Sequence, residues 1–265
     1  MTSPPALLIA APGARHDAAA AAFRDFVGLL GSRHPDIPVA GGLVGADRWP
    51  LGEAVAELVA AGTERLAAVS LALVPDARAE TAVAEALEAA GRDYPEVAVA
   101  RGRALGAHPA LLAVLERRLD EALGGTARTP RDRAEVTVLL VAPGSTDPQA
   151  NAEVHRAARL LWEGRGYAGV ETAFVSSAAP DVPTGLDRCV RLGARRIVVL
   201  PYVLFDGGPV DRARLHADGW AEAHPETAVR YADVIGPVEE LADLVVERYR
   251  EAVAGLVREH HALAH

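Results

Sequence analysis

Metal or acid–base chemistry in this 265-residue chain must come from nine histidines, one cysteine and the acidic residues, because every basic residue is an arginine. His16 opens what reads as the first helix beside Asp17, as a surface or capping residue or else as a metal ligand. His108, in Gly106-Ala107-His108-Pro109, suits a structural loop role or a pocket role, and His155 on the helix after Asn151 reads as exposed. His260, His261 and His265 form a tail that could scavenge metal weakly or simply fray. Cys189 has no partner for an intramolecular disulfide and reads as a buried structural thiol. Trp49, Trp162 and Trp220 read as packing residues. Arginine stays protonated, so Arg15 and Arg78 can serve neither as metal ligand nor as base, but their forks match carboxylates. The loops at Pro12-Gly13 and Pro143-Gly144-Ser145 each precede a helix-like stretch and could turn backbone N–H groups toward an anion. There is no P-loop lysine, and no nucleotide cofactor is implied.

The elements that must position these residues come in two copies. Leu8-Ile9-Ala10-Ala11-Pro12-Gly13 recurs as Leu139-Leu140-Val141-Ala142-Pro143-Gly144, and Gly62 recurs as Gly193, both 131 positions later. Pro95 pairs with Pro225 and Gly106 with Gly236 at an offset of 130, so one net deletion separates the copies. Short apolar runs alternate with amphipathic stretches, which calls for a parallel sheet covered by helices. The expected fold is therefore α/β, with two duplicated doubly wound parallel-sheet lobes: residues 1–124, a linker over 125–135, and residues 136–265. A cleft between the lobes, faced by loops from the strands' carboxyl ends, is the expected ligand site. A net charge of −9 with no arginine block argues against nucleic acid. The run Ala6 to Ala11 is too short to span a membrane, and the amino terminus lacks a basic leader segment. A soluble, cytoplasmic protein with a small molecule or another protein as partner is expected.

Several motifs together carry a resemblance. Leu139 to Glu153, Arg159 to Tyr167, Glu171-Thr172-Ala173-Phe174-Val175 and Arg196 to Tyr202 resemble the second half of long-form sirohydrochlorin chelatases. Val39-Ala40-Gly41-Gly42 and Leu105 to Leu112 resemble the first half, so the likeness runs from about residue 6 to 254. It implies a class II chelatase fold and a reaction that inserts Co²⁺ or Fe²⁺ into sirohydrochlorin on the way to cobalamin or siroheme. Such insertion needs deprotonatable ligands and a base near the macrocycle. The positions where the resemblance implies histidine, glutamate and histidine read Pro12, Gly45 and Arg78, and Pro143 and Pro209 offer no replacement in the second copy. The expectation is a degenerate copy that binds a tetrapyrrole or another carboxylate-rich molecule without efficient insertion, as a carrier, regulator or partner of a pathway enzyme. Gly13, Arg15, Arg78, Gly144 and Ser145 are its expected ligand contacts, with Arg78 directed into the cleft near Pro12 and Gly45. The alternatives are an active cobalt or iron chelatase using His16 or His108 as substitute ligands, and a structural homologue that binds no small molecule.

Overall fold

The computed structural model describes residues 4–13, 17–46, 48–125 and 130–263, the side chains of residues 130 and 257–263 excepted. The chain runs β1 (Ala6–Pro12), α1 (Asp17–Arg33), β2 (Val39–Val44), α2 (Leu51–Ala60), β3 (Arg65–Ser70), α3 (Ala77–Asp93), β4 (Ala98–Arg101) and α4 (Pro109–Ala122). It continues through α5 (Pro130–Arg133), β5 (Thr137–Ala142), α6 (Pro148–Trp162), β6 (Gly169–Phe174), α7 (Val182–Arg191), β7 (Arg196–Pro201), α8 (Gly208–Ala223), β8 (Ala228–Tyr231) and α9 (Glu239–Leu263). The strands form two parallel sheets of four, in the orders β2-β1-β3-β4 and β6-β5-β7-β8. This is the α/β duplication that the alternating pattern predicts.

The central strands explain their own sequences. β1 and β5 are almost unbroken apolar runs because helices cover both faces of a parallel sheet, and all of β5 and all of β1 but Pro12 are buried. Neighbouring glycines in β2 show how closely the helices approach. A Cβ on Gly41 would strike Val27 and Phe23 of α1, and one on Gly42 would lie 2.4 Å from Leu51 Cα of α2. Successive residues in a strand face opposite ways, so α1 and α2 lie on opposite faces of the sheet. On the α2 face, α3 buries Val83, Leu87 and Ala90 as a helical stripe. Asp76 caps α3 by accepting hydrogen bonds from the N–H groups of Arg78 and Ala79.

The repeat is visible in the strand register itself. Leu7 pairs with Val39 as Val138 pairs with Val170, an offset of 131 on both strands. Arg65 pairs with Ala98 and Arg196 with Ala228, so the offset falls to 130 between the third and fourth strands of each sheet. The deletion lies between the equivalent helices α3, of 17 residues, and α8, of 16.

The compact units are not residues 1–124 and 136–265. One comprises residues 1–106 and 237–265, the other residues 107–236. The last helix of each copy leaves its own sheet: α4 packs on β7 and α6, while α9 packs on β3 and β4. Equivalent arginines on these two helices make partly different bonds. Both donate to the glutamate three positions on, Glu121 and Glu251, but Arg118 also donates to the carbonyls of Val234 and Ile235, whereas Arg248, only 1% exposed, donates to Glu247. The stretch expected as a linker, 125–135, contains α5, whose Arg133 is ion-paired with Glu116 and Asp120 of α4. Among the described residues, no helix is long and apolar enough to cross a membrane.

Candidate functional site

In an open parallel sheet, loops leaving the carboxyl ends of the strands are where ligands are held. In the first unit these are the loop after β1, the turn after β2 and the loop between β3 and α3. Pro12 ends β1 exposed and pairs with Val44, and the Gly13 N–H donates to the Val44 carbonyl at 2.9 Å. Gly45 follows directly at φ 71°, so Pro12, Gly13 and Gly45 come together. Because the Gly13 amide is already engaged, it is not the anion donor that its loop suggests. Arg78 lies after β3 in the first turn of α3, exposed, and its guanidinium makes no ion pair with a described residue. Arg15 and His16 lie outside the described residues, as does His265; of His260 and His261 only the backbone is described.

The remaining candidates belong to the second unit. His108 caps α4, its Nδ1 accepting from the Ala110 N–H at 3.3 Å, which is the structural role its Gly-Ala-His-Pro setting suggests. Gly144 has φ 87°, and the Ser145 N–H donates to Asn151 Oδ1 while the Asn151 amide returns a bond to the Ser145 carbonyl. Ser145 Oγ accepts from the Asp147 N–H, and Asp147 caps α6. Ser145 is thus held inside its own loop rather than presented to a ligand. His155 is exposed and bonded to Thr172 Oγ1. Cys189 is fully buried, and burial pushes its thiol up to about 12, so it is chemically quiet.

The chain offers little to a metal ion at the positions in question. Proline and glycine side chains carry no donor atom, and a guanidinium is a permanent cation. Among the described residues, no three of His, Cys, Asp and Glu are grouped so as to hold a metal.

One feature of the first unit was not anticipated from its residue types. A cavity of about 330 Å³ opens beside Gly45, between the start of α2 and the second half of α3. Its walls include Leu43, Pro50, Leu51, Ala86, Ala90 and Tyr94, with Asp93 the one charged residue among the described residues, and neither Pro12 nor Arg78 is part of them. The two copies differ here, alanine standing at position 90 and tryptophan at position 220, and that difference was the signal in the sequence.

Comparison with known proteins agrees with the geometry. The CbiX family model matches twice, over residues 6–122 and 137–252. The sirohydrochlorin cobaltochelatase of Priestia megaterium is 30% identical over 212 residues, covering 80% of this chain and 68% of that protein. The sirohydrochlorin ferrochelatase of the same organism is 32% identical over 148 residues, 55% of this chain and 53% of that one. Among solved structures, SirB from Bacillus subtilis with Fe³⁺ superposes with a TM-score of 0.78 at 21% identity, covering 94% of this chain and 96% of that one. CbiX, described as the terminal enzyme for biosynthesis of siroheme in denitrifying bacteria, gives 0.62 at 19% identity over 93% and 99% of the two chains. At such identities the structural matches speak to the fold, and with the two family matches they lead to one conclusion: this chain belongs to the CbiX family of sirohydrochlorin-chelatase-like proteins.

Proposed function

We propose that this protein binds a tetrapyrrole, or a similarly carboxylate-rich small molecule, at the strand ends of its first unit without accelerating metal insertion. The observation that carries this reading is the chemistry of three positions: Pro12, Gly45 and Arg78 stand where the family resemblance calls for histidine, glutamate and histidine. The metal ion is a substrate of the family reaction. To enter the macrocycle it must exchange water for protein donors while a base removes pyrrole protons. Proline, glycine and arginine do neither. Arginine does suit the carboxylates at the rim of sirohydrochlorin, and exposed Arg78, together with Arg15, is the expected contact. In this role the protein works in the cytoplasm as a carrier or regulator, with an enzyme of tetrapyrrole metabolism as its partner.

The test is the rate of Co²⁺ or Fe²⁺ insertion into sirohydrochlorin, measured with purified protein and without it. The two rates are expected to coincide. A rate well above the protein-free control that disappears in His16→Ala or in His108→Ala overturns the proposal and identifies a chelatase with a substitute ligand.

A further inference from the structure

The cavity beside Gly45 has a counterpart in the second unit, and there the corresponding wall carries an indole. The register fixes the correspondence: the offset is 131 through β2 and α2, and 130 from the middle of α3 onward. The α3 stripe Val83, Leu87 and Ala90 therefore matches the buried α8 stripe Ala213, Ala217 and Trp220. Around it, Leu43 becomes Phe174, Gly45 becomes Ser176, Pro50 becomes Asp181 and Ala86 becomes His216. Trp220 is 7% exposed, stacked on His224 with ring centroids 3.9 Å apart at 8°, and its Nε1–H donates to Asp187 Oδ1 at 2.8 Å. In the first unit the equivalents of Trp220, His224 and Asp187 are Ala90, Tyr94 and Ala56. The aromatic neighbour persists, whereas the indole and its acceptor are gone. Asp93, at the end of α3, brings a new carboxylate to the cavity, where the equivalent residue of α8 is Ala223.

We propose that this cavity is a binding site for a planar bicyclic aromatic ligand of indole size that carries an N–H donor and is either uncharged or cationic. The ligand takes the place that the Trp220 ring holds in the second unit. A volume of about 330 Å³ lies at the small end of ligand pockets, ample for two fused rings and too small for a tetrapyrrole. Tyr94 offers the stacking face. Asp93 offers the acceptor, and its charge adds to the negative carboxyl end of α3. Among the described residues no arginine lines the cavity, so an anionic ligand meets the Asp93 carboxylate with no described cation to offset it. The cavity borders the proposed tetrapyrrole site at Gly45 but includes neither Arg78 nor Pro12, and its test stands whether or not the tetrapyrrole reading holds.

The test uses indole, tryptamine and indole-3-acetate as probes, read by saturation-transfer NMR and by the shift in melting temperature. Wild-type protein is expected to bind indole and tryptamine saturably, with tryptamine tighter, and to bind indole-3-acetate at least about tenfold more weakly than tryptamine. Ala90→Trp rebuilds the arrangement of the second unit, and should abolish binding and raise the ligand-free melting temperature. If that variant does not fold, Ala86→His narrows the same cavity and should weaken indole binding. Asp93→Asn should reduce the preference for tryptamine over indole-3-acetate. Absence of saturable indole binding to wild type, or equal binding to wild type and a folded cavity-filling variant, overturns the site.

Discussion

The two sheets share one strand pairing, yet the loops that leave their carboxyl ends are held in different ways. At the first two loops of the second unit, side chains do this: Ser145 and Asn151 exchange bonds, Asp147 and Asp181 cap α6 and α7, and Ser176 Oγ donates to the Pro143 carbonyl. In the first unit the residues matching Ser145, Asn151 and Asp181 are Ala14, Ala20 and Pro50, none of which offers a side-chain hydrogen bond. The bonds seen at those two loops are made largely by the main chain, from Gly13 to Val44 and from Leu43 to the Trp49 carbonyl, whereas at the third loop the contrast reverses: Asp76 caps α3, and Gly207 before α8 has no side chain to offer. Side chains at the second unit's loops therefore serve the fold. Those at the first two loops of the first unit are released from that duty, and it is there that Pro12 and Gly45 stand. Duplication has given one architecture two divisions of labour.

Breaking the better-filled copy should have the largest effect. Trp220→Ala removes a buried ring together with its bond to Asp187 and its stack on His224, and is expected to cost about 3–5 kcal/mol in urea unfolding. The first unit already lives with alanine at that place, so a cost below about 1 kcal/mol would mean that the second unit collapses as easily. The next largest effect is at Gly144. A Cβ there would sit 1.9 Å from the Ser176 carbonyl oxygen at a backbone φ of 87°, against 2.8 Å from the Val44 oxygen for Gly13. Gly144→Ala should cost about 2–3 kcal/mol and more than Gly13→Ala, since only the former adds left-handed strain to the clash. Equal losses in the two variants would erase the distinction between the loops.

The smallest expected effect concerns the cap that only the second unit's helix has. Asp181→Ala should cost about 1 kcal/mol near neutral pH. Hydrogen bonds from Thr184, and then His216 nearby, hold the Asp181 carboxyl below its usual range. A depressed folded value means the contribution is present above the unfolded value of about 3.9 and is lost as pH falls through the folded one. The gap between wild type and Asp181→Ala should thus be constant from about pH 5 to 7 and shrink below about pH 4. A gap that persists unchanged into acid would assign the effect to packing instead.

Much of this architecture could be read from residue order, for reasons that are physical and local. Strands β1 and β5 announce themselves because burial on both faces demands continuous apolar runs, and the copies align because both keep that demand. The exchange of α4 and α9 could not be read, because an amphipathic helix specifies that one face is buried but not which sheet covers it. The site was legible as residue types and not as contacts. Pro12 and Gly45 meet because β1 and β2 pair in parallel, but the same pairing engages the Gly13 amide, a consequence of register that no motif encodes. Ser145 read as a ligand contact, whereas Asn151, six positions on, is what it bonds. The cavity escaped notice because an absent side chain leaves no motif; only matching Ala90 with Trp220 at the correct offset reveals it.

The central claim, binding without insertion, meets its most direct test in an absorbance titration of the purified protein with sirohydrochlorin, run with and without Co²⁺. The account predicts a saturable spectral change on binding, weakened in Arg78→Ala, with the metallated spectrum appearing no faster than in protein-free solution. A metallated spectrum that grows in at a rate proportional to protein concentration, or a titration with no saturable change at all, would contradict it.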